Sequence, residues 1–312
     1  MPKRVIFDTD PGVDDAMAML FMIASPEIEL EAVTTVFGNN GAEQTTRNAI
    51  VVLDIAGRAE IPVARGAERP LIKGRKIGSS VVHGENGLGD APLPTPSRGP
   101  VSQRAAELII ERIMAAPRQI TLIAVGPLTN IALATRLEPL IADNVRELII
   151  MGGAIDAPGN LTPLAEANIG NDPEAAWIVF HAGFPLTMLG LNVTHRTVMT
   201  PDYVAGLRRD GGAKGAFIAD ISAHYADVYR KRNGAPGFPV HDSSAVLYAI
   251  DPGYFTTEQM FVDVEIKSAR GYGQTMPDRR GQWDREPNVN VCVDVDSARF
   301  LDLYRRRITG AH

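Results

Sequence analysis

The chain has 312 residues, 45% of them hydrophobic and 22% charged, with a formal net charge of -6 at pH 7. This is the composition of a folded globular protein long enough for one large α/β domain, and it excludes a disordered chain. The acidic balance and the lack of a long Lys/Arg run argue against nucleic acid as a partner, since the densest basic run, Arg305-Arg306-Arg307, reads as a solvated helix end.

Met1-Pro2-Lys3-Arg4 leads at once into a short strand at residues 5–7, without the apolar stretch of a signal peptide, so a cytoplasmic protein is expected. A turn follows, Asp8-Thr9-Asp10-Pro11-Gly12-Val13-Asp14-Asp15, and then an apolar helix at residues 16–24. That helix is far short of the ~20 residues a bilayer requires, and no membrane partner is expected. Strands at residues 31–36, 120–125 and 147–151 alternate with helix-compatible segments at 44–57, 101–115, 128–135 and 173–181, many bounded by Gly or Pro. The alternation predicts an α/β fold: a single domain over residues 1–312 with a mostly parallel open sheet flanked by helices. Residues 66–100 form a long Gly- and Pro-rich loop around His83-Gly84-Glu85-Asn86-Gly87-Leu88-Gly89-Asp90, and residues 268–288 read as a hairpin tip or surface excursion. Cys292 is the only cysteine, which excludes an intrachain disulfide and a multi-thiolate zinc site, and its apolar neighbours give it a core role.

The turn at residues 8–15 carries the chemistry. Four carboxylates crowd it, and no Lys or Arg occurs from residue 5 to residue 46. Like charges packed together raise one another's pKa and destabilise the fold, so a bound cation is the simplest resolution. Helix capping by Asp14 or Asp15 accounts for one or two of the four but not for Asp8 and Asp10 on the strand side, where open α/β sheets form ligand crevices. The turn offers only oxygen donors, which favours calcium or magnesium; calcium accepts the larger and less regular shell. Glu166 and Asn168 would point to one side of an extended segment, or sit in an irregular polar loop. Asp242 or Ser243 is a candidate N-cap for the apolar run at 245–250, with His241 as a hydrogen-bonding neighbour.

Together these segments resemble the inosine-uridine preferring nucleoside hydrolase family. The signature turn at residues 8–15 is followed in order by Gly38-Asn39, Gly126-Pro127-Leu128-Thr129-Asn130, Met151-Gly152-Gly153, Glu166-Ala167-Asn168 and His241-Asp242. The resemblance implies calcium-dependent hydrolysis of the N-glycosidic bond of ribonucleosides to free base and ribose, of the inosine/uridine type, in nucleoside salvage. It also implies a single α/β domain assembled as a homodimer or homotetramer. Residue by residue, it implies calcium held by Asp10, Asp15, Asp242 and the carbonyl of Val125, with Asp10 also activating the attacking water. Family members often have Thr at the last of these positions; the donor is a main-chain oxygen, so Val125 serves as well. Asp14, Asn160, Glu166 and Asn168 would hold the ribose hydroxyls, with Asn39 and Met151 lining the same pocket. His241 corresponds to a proton donor facing the base, Tyr229 to a base contact, and His83 lies in a flap that gives it a base or 5′-side contact. Tyr225 and Tyr229, one helical turn apart, read equally as two core aromatics.

Two other readings stay open on the residues alone. Asp8-Thr9-Asp10 after a strand is similar to the two-Asp loop of haloacid-dehalogenase-type phosphatases, although Pro11-Gly12 and the second acidic pair have no place there. A calcium-dependent nucleoside-binding module would use the same ligands with no need of Asp10 as a base or His241 as a proton donor.

Overall fold

In the computed structural model, residues 1–72, 80–234 and 236–311 are described, so the part of the expected long loop at 73–79 lies outside the described residues. Eight strands form the central sheet: β1 (Lys3–Thr9), β2 (Ile28–Thr35), β3 (Val63–Arg65), β4 (Ile120–Ala124), β5 (Glu147–Met151), β6 (Leu186–Leu189), β7 (Phe255–Met260) and β8 (Val289–Val295). Their order is β3-β2-β1-β4-β5-β6-β8-β7, parallel throughout except for the antiparallel edge strand β7.

The long apolar runs of β1 and β4 follow from this position, because a parallel strand covered on both faces needs apolar side chains on both. Alternation along each strand divides them between two cores. Val5, Phe7 and Ile123 face one core, packed by helices α1 (Val13–Ile23) and α2 (Ala42–Ile55). Ile6, Leu122 and Ala124 face the other, packed by α3 (Ala105–Ala115), α4 (Thr129–Leu137) and, after the short α5 (Ala167–Asn171), α6 (Pro173–Phe180). The first core also takes α7 (Gly212–Asn233), α8 (Ser243–Ile250) and α9 (Ser297–Thr309).

From β1 the chain builds the sheet outwards through β2 and β3; from β4 it builds the other way through β5 and β6. The carboxyl ends of β1 and β4 therefore border the crevice where an open α/β sheet binds its ligand. Asp10 follows β1 directly and Val125 follows β4 directly.

The expected strands at 5–7, 31–36, 120–125 and 147–151 fall on β1, β2, β4 and β5. The first helix starts at Val13 and not at residue 16, which puts Asp14 and Asp15 in its first turn. The hairpin expected at 268–288 sits slightly earlier, because Val262–Val264 pairs antiparallel with Thr275–Pro277. Cys292 is buried in β8. Among the described residues no helix is long and apolar enough to cross a membrane.

Candidate active site

The four carboxylates of the signature turn are all buried, and they are held in different ways. Asp15 is the most heavily hydrogen-bonded: it accepts from Thr9 Oγ1 (2.5 Å), Asp10 N (3.2 Å), Gly12 N (2.9 Å) and Asn39 Nδ2 (2.9 Å). It thereby satisfies the amide at the start of α1, the capping role that either Asp14 or Asp15 could have taken. Asp8 is tied back into the sheet through Oδ2, by Thr34 Oγ1 (2.5 Å) and Asn130 Nδ2 (2.8 Å), while its Oδ1 is buried without a hydrogen-bond partner.

Asp10 and Asp14 are incompletely satisfied. Asp10 Oδ2 accepts from Asn39 N at 2.6 Å, while its Oδ1 is buried without a hydrogen-bond partner. Glycine at position 38 is what lets this backbone approach, since a Cβ there would lie 1.8 Å from Asp10 Oδ2. Asp14 Oδ2 accepts from Tyr225 OH at 3.4 Å; its Oδ1 stands 3.8 Å from His83 Nδ1 and also lacks a hydrogen-bond partner. Asp242, the residue before α8, makes no capping bond with its side chain, which sets aside the N-cap alternative. Asp14, Asp15 and Asp242 bring carboxylate oxygens within 4.8 Å of one another. Asp10 is outside this trio but adjoins it, its amide donating to Asp15 Oδ1 at 3.2 Å.

Burial drives these groups towards their protonated forms. Asp8 and Glu166 are pushed up to about 7 and Asp14 to about 6, each by desolvation first. Asp10 and Asp242 are raised well above the carboxylate range, with desolvation followed by the charge of Asp15 on Asp10 and of Asp14 on Asp242. Among the described residues no Lys or Arg forms an ion pair with any of them; the nearest basic partner is His83. Three orphaned buried oxygens, an all-oxygen donor set and mutual repulsion together fit a hard divalent cation.

A cavity of about 450 Å³ opens beside the trio, with Asp14, Asn39 and Asp242 in its wall. Its ribose-sized end is built from β4, β5 and α5. Asn168 Nδ2 donates to Val125 O (2.8 Å) and Met151 O (2.9 Å), which aligns the ends of the two strands and leaves Asn168 Oδ1 as an acceptor. Glu166 and Asn168 do not share one extended segment, because the helix α5 begins between them at Ala167. Glu166 caps α5, taking Asn168 N on Oε1 (2.8 Å) and Gly153 N (2.9 Å) and Ile169 N (3.1 Å) on Oε2, and it reaches the cavity from that position. Asn160 is exposed at the rim, where its Oδ1 accepts from Ala167 N at 2.8 Å.

The opposite end is lined by His83, Tyr225, Tyr229 and His241. His241 Nδ1 meets Thr194 Oγ1 at 2.8 Å and its Nε2 meets Tyr229 OH at 3.1 Å. The Tyr225 and Tyr229 rings are 4.9 Å apart, and Tyr225 OH continues the line to Asp14. Tyr225 is a core side chain that also lines the cavity, and Tyr229 lines the cavity beside it. Burial holds His241 down to about 3 and His83 down to about 4, and raises Tyr229 to about 12. At pH 7 both imidazoles are therefore neutral and the phenol keeps its proton.

Every residue expected at the site is thus brought to one crevice, with Asp10 and Asp15 packed behind the cavity lining. Sequence reasoning missed Arg232, which follows Tyr225 and Tyr229 at helical spacing on α7 and also lines the cavity, and Thr194, whose partner lies 47 residues away.

The family model for inosine-uridine preferring nucleoside hydrolases matches residues 5–302. The inosine-uridine preferring nucleoside hydrolase of Leishmania major is 43% identical over 305 residues, covering 97% of this chain and 96% of that protein. The pyrimidine-specific ribonucleoside hydrolase RihB of Escherichia coli is 39% identical over 311 residues, covering 99% and 97%. Among solved structures, the plant nucleoside hydrolase PpNRh1 superposes with a TM-score of 0.96 at 36% identity, covering 99% of each chain.

Proposed function

The chain belongs to the inosine-uridine preferring nucleoside hydrolase family and hydrolyses the N-glycosidic bond of ribonucleosides; from that premise we propose that it does so with calcium as its cation, Asp10 as the base and His241 as the proton donor. The observation that carries this reading is the set of buried, unpartnered oxygens, Asp8 Oδ1, Asp10 Oδ1 and Asp14 Oδ1, in a cluster with no Lys or Arg ion pair among the described residues.

Calcium held by Asp10, Asp15, Asp242 and the Val125 carbonyl would acidify the attacking water and give the ribose diol a rigid seat. Asp10 takes the proton from that water through Oδ1, the oxygen that no protein donor occupies. Asp14, Glu166, Asn160 and the free Oδ1 of Asn168 hold the ribose hydroxyls, with Asn39 and Met151 closing the wall. As the glycosidic bond lengthens, the sugar takes on oxocarbenium character, and the same carboxylates face the developing positive charge.

The departing base gains negative charge and with it proton affinity. His241 is neutral at pH 7 in the free protein, so to serve as the acid it has to take up a proton as the substrate binds, which the negative charge developing on the base favours; it then gives the Nε2 proton to the base and returns to neutral, with Tyr229 alongside and Thr194 fixing Nδ1. His83 faces the same end of the cavity. We read the base preference as the inosine/uridine type, supported by the 43% identity to the Leishmania major protein and by the aromatic wall of Tyr225 and Tyr229.

The test is release of free base and ribose from inosine, uridine, cytidine and adenosine, before and after chelation. Hydrolysis lost on chelation and restored by calcium, but not by magnesium at equal concentration, is the expected result. Full activity in the chelated protein would sink the calcium assignment, and cytidine cleaved far better than inosine would sink the base preference.

A further inference from the structure

Three amide side chains spaced four residues apart, Asn40, Gln44 and Asn48, run along one face of α2 and its N-terminal approach. They converge on the main chain just after His83. Asn40 Nδ2 donates to Glu85 O (2.9 Å), Gln44 Nε2 to Asn86 O (3.3 Å), and Asn48 Nδ2 to both Asn86 O (2.9 Å) and Pro11 O (3.0 Å). Asn48 is fully buried, and Gln44 Nε2 occupies its Oδ1 at 2.8 Å. Both donors and the acceptor are therefore used, and one amide ties the turn that holds Asp10 to the loop that follows His83.

The loop is shaped for this contact. Gly87 has φ of +79°, and a Cβ there would stand 2.8 Å from Asn48 Nδ2. Gly89 N closes the turn onto His83 O at 2.7 Å, and Asn86 Oδ1 accepts from Leu88 N and Asp90 N. At the other end, His83 Nδ1 accepts from Val13 N at 3.1 Å, next to Asp14. A segment that composition alone presents as part of a long Gly- and Pro-rich loop is here a pinned turn.

We propose that Asn48, supported by Gln44 and Asn40, is a positioning residue for the hydrolysis: it fixes the separation between the acidic turn and His83, and so sets where His83 meets the substrate. The inference rests on the reading of His83 as a substrate-facing group. Misplacing a catalytic-site group by about 1 Å costs on the order of 10²-fold in rate, so Asn48→Ala should lower kcat/KM for a nucleoside by up to about 100-fold. Gln44→Ala, which loses only the loop arm, should cost less.

The test is a double-mutant cycle with His83→Ala, read as kcat/KM at saturating calcium, with hydrogen exchange at the Gly87 and Gly89 amides measured on the same proteins. If Asn48 acts through His83, its penalty disappears in the His83→Ala background, and exchange at both amides accelerates in Asn48→Ala and more mildly in Gln44→Ala. An equal penalty in both backgrounds, or none in either, overturns the proposal. If His83→Ala alone is silent, the reading of His83 has failed and exchange decides the clamp: unchanged protection in Asn48→Ala overturns that too. Should Asn48→Ala not fold, Gln44→Ala carries the same cycle, and additivity there has the same force.

Discussion

Asp10 and Asp15 are five positions apart in one turn, yet their surroundings assign them different work. Asp15 accepts four hydrogen bonds and is a fixed strut of the turn, whereas Asp10 keeps one buried oxygen that nothing in the protein satisfies. Asp10→Asn keeps the shape and an oxygen for the ion but removes the base, so at saturating calcium kcat should fall by about 10²- to 10⁴-fold while the dissociation constant of a ribose-containing inhibitor changes little. Parallel losses in turnover and binding, measured by kinetics and calorimetry, would favour a nucleoside-binding module over a catalyst. His241 gives a second contrast. Its proton matters only when the leaving base demands one, so His241→Ala should slow inosine by about 10²-fold or more and affect much less a riboside whose leaving group departs without protonation. A uniform loss across both substrates would show that His241 shapes the pocket and does not supply the proton.

At the scale of elements, the site depends on close approaches that only small residues permit. The segment after β2 passes so near Asp10 that a Cβ at position 38 would lie 1.8 Å from its Oδ2. Gly38→Ala should push the Asp10 carboxylate aside, lowering kcat by about 10²-fold and raising the calcium concentration needed for half-maximal rate. A calcium titration unchanged from the parent protein would refute that. The long buried strands and the acidic turn were legible in the sequence, because continuous apolar runs and uncompensated charge are local signals. Strand β3 is three residues long, and β7 is an exposed edge whose Thr-Thr-Glu-Gln surface resembles a loop, so neither carries such a signal. The convergence of Val125, Met151, Glu166, Asn168 and His241 on one crevice is a product of strand order, which residue spacing does not encode; the family resemblance supplied it. Glu166 shows the limit of spacing most directly, since it reaches the cavity as a helix cap and does not share one extended segment with Asn168. The amides at 40, 44 and 48 look from sequence like the solvated face of an amphipathic helix, and only the folded loop shows what they bind.

The whole molecule should register its cation through pH. Without the ion, Asp8 and Glu166 titrate at about 7 and Asp14 at about 6 in the folded state, against about 4 in the unfolded chain, and Asp10, Asp15 and Asp242 are raised as well. A raised carboxyl binds its proton more tightly when folded, so its contribution is present at low pH and is lost as pH rises from about 4 through about 7. His83 at about 4 and His241 at about 3 act in the opposite sense: the unfolded chain takes up protons below about 6.5 that the folded chain refuses, which erodes stability on the acid side. More carboxyls are raised than imidazoles are lowered, so the Tm of the chelated protein should decline as pH rises from about 4 through about 7. Calcium at 100 times its Kd adds about 2.7 kcal/mol. Because the ion and protons compete for the same oxygens, that gain should be largest near pH 8 and shrink towards pH 5. The Tm difference between calcium-loaded and chelated protein should thus widen steadily across this range. A difference that stays constant with pH, or vanishes at pH 8, would mean that the buried carboxylates are not the calcium ligands.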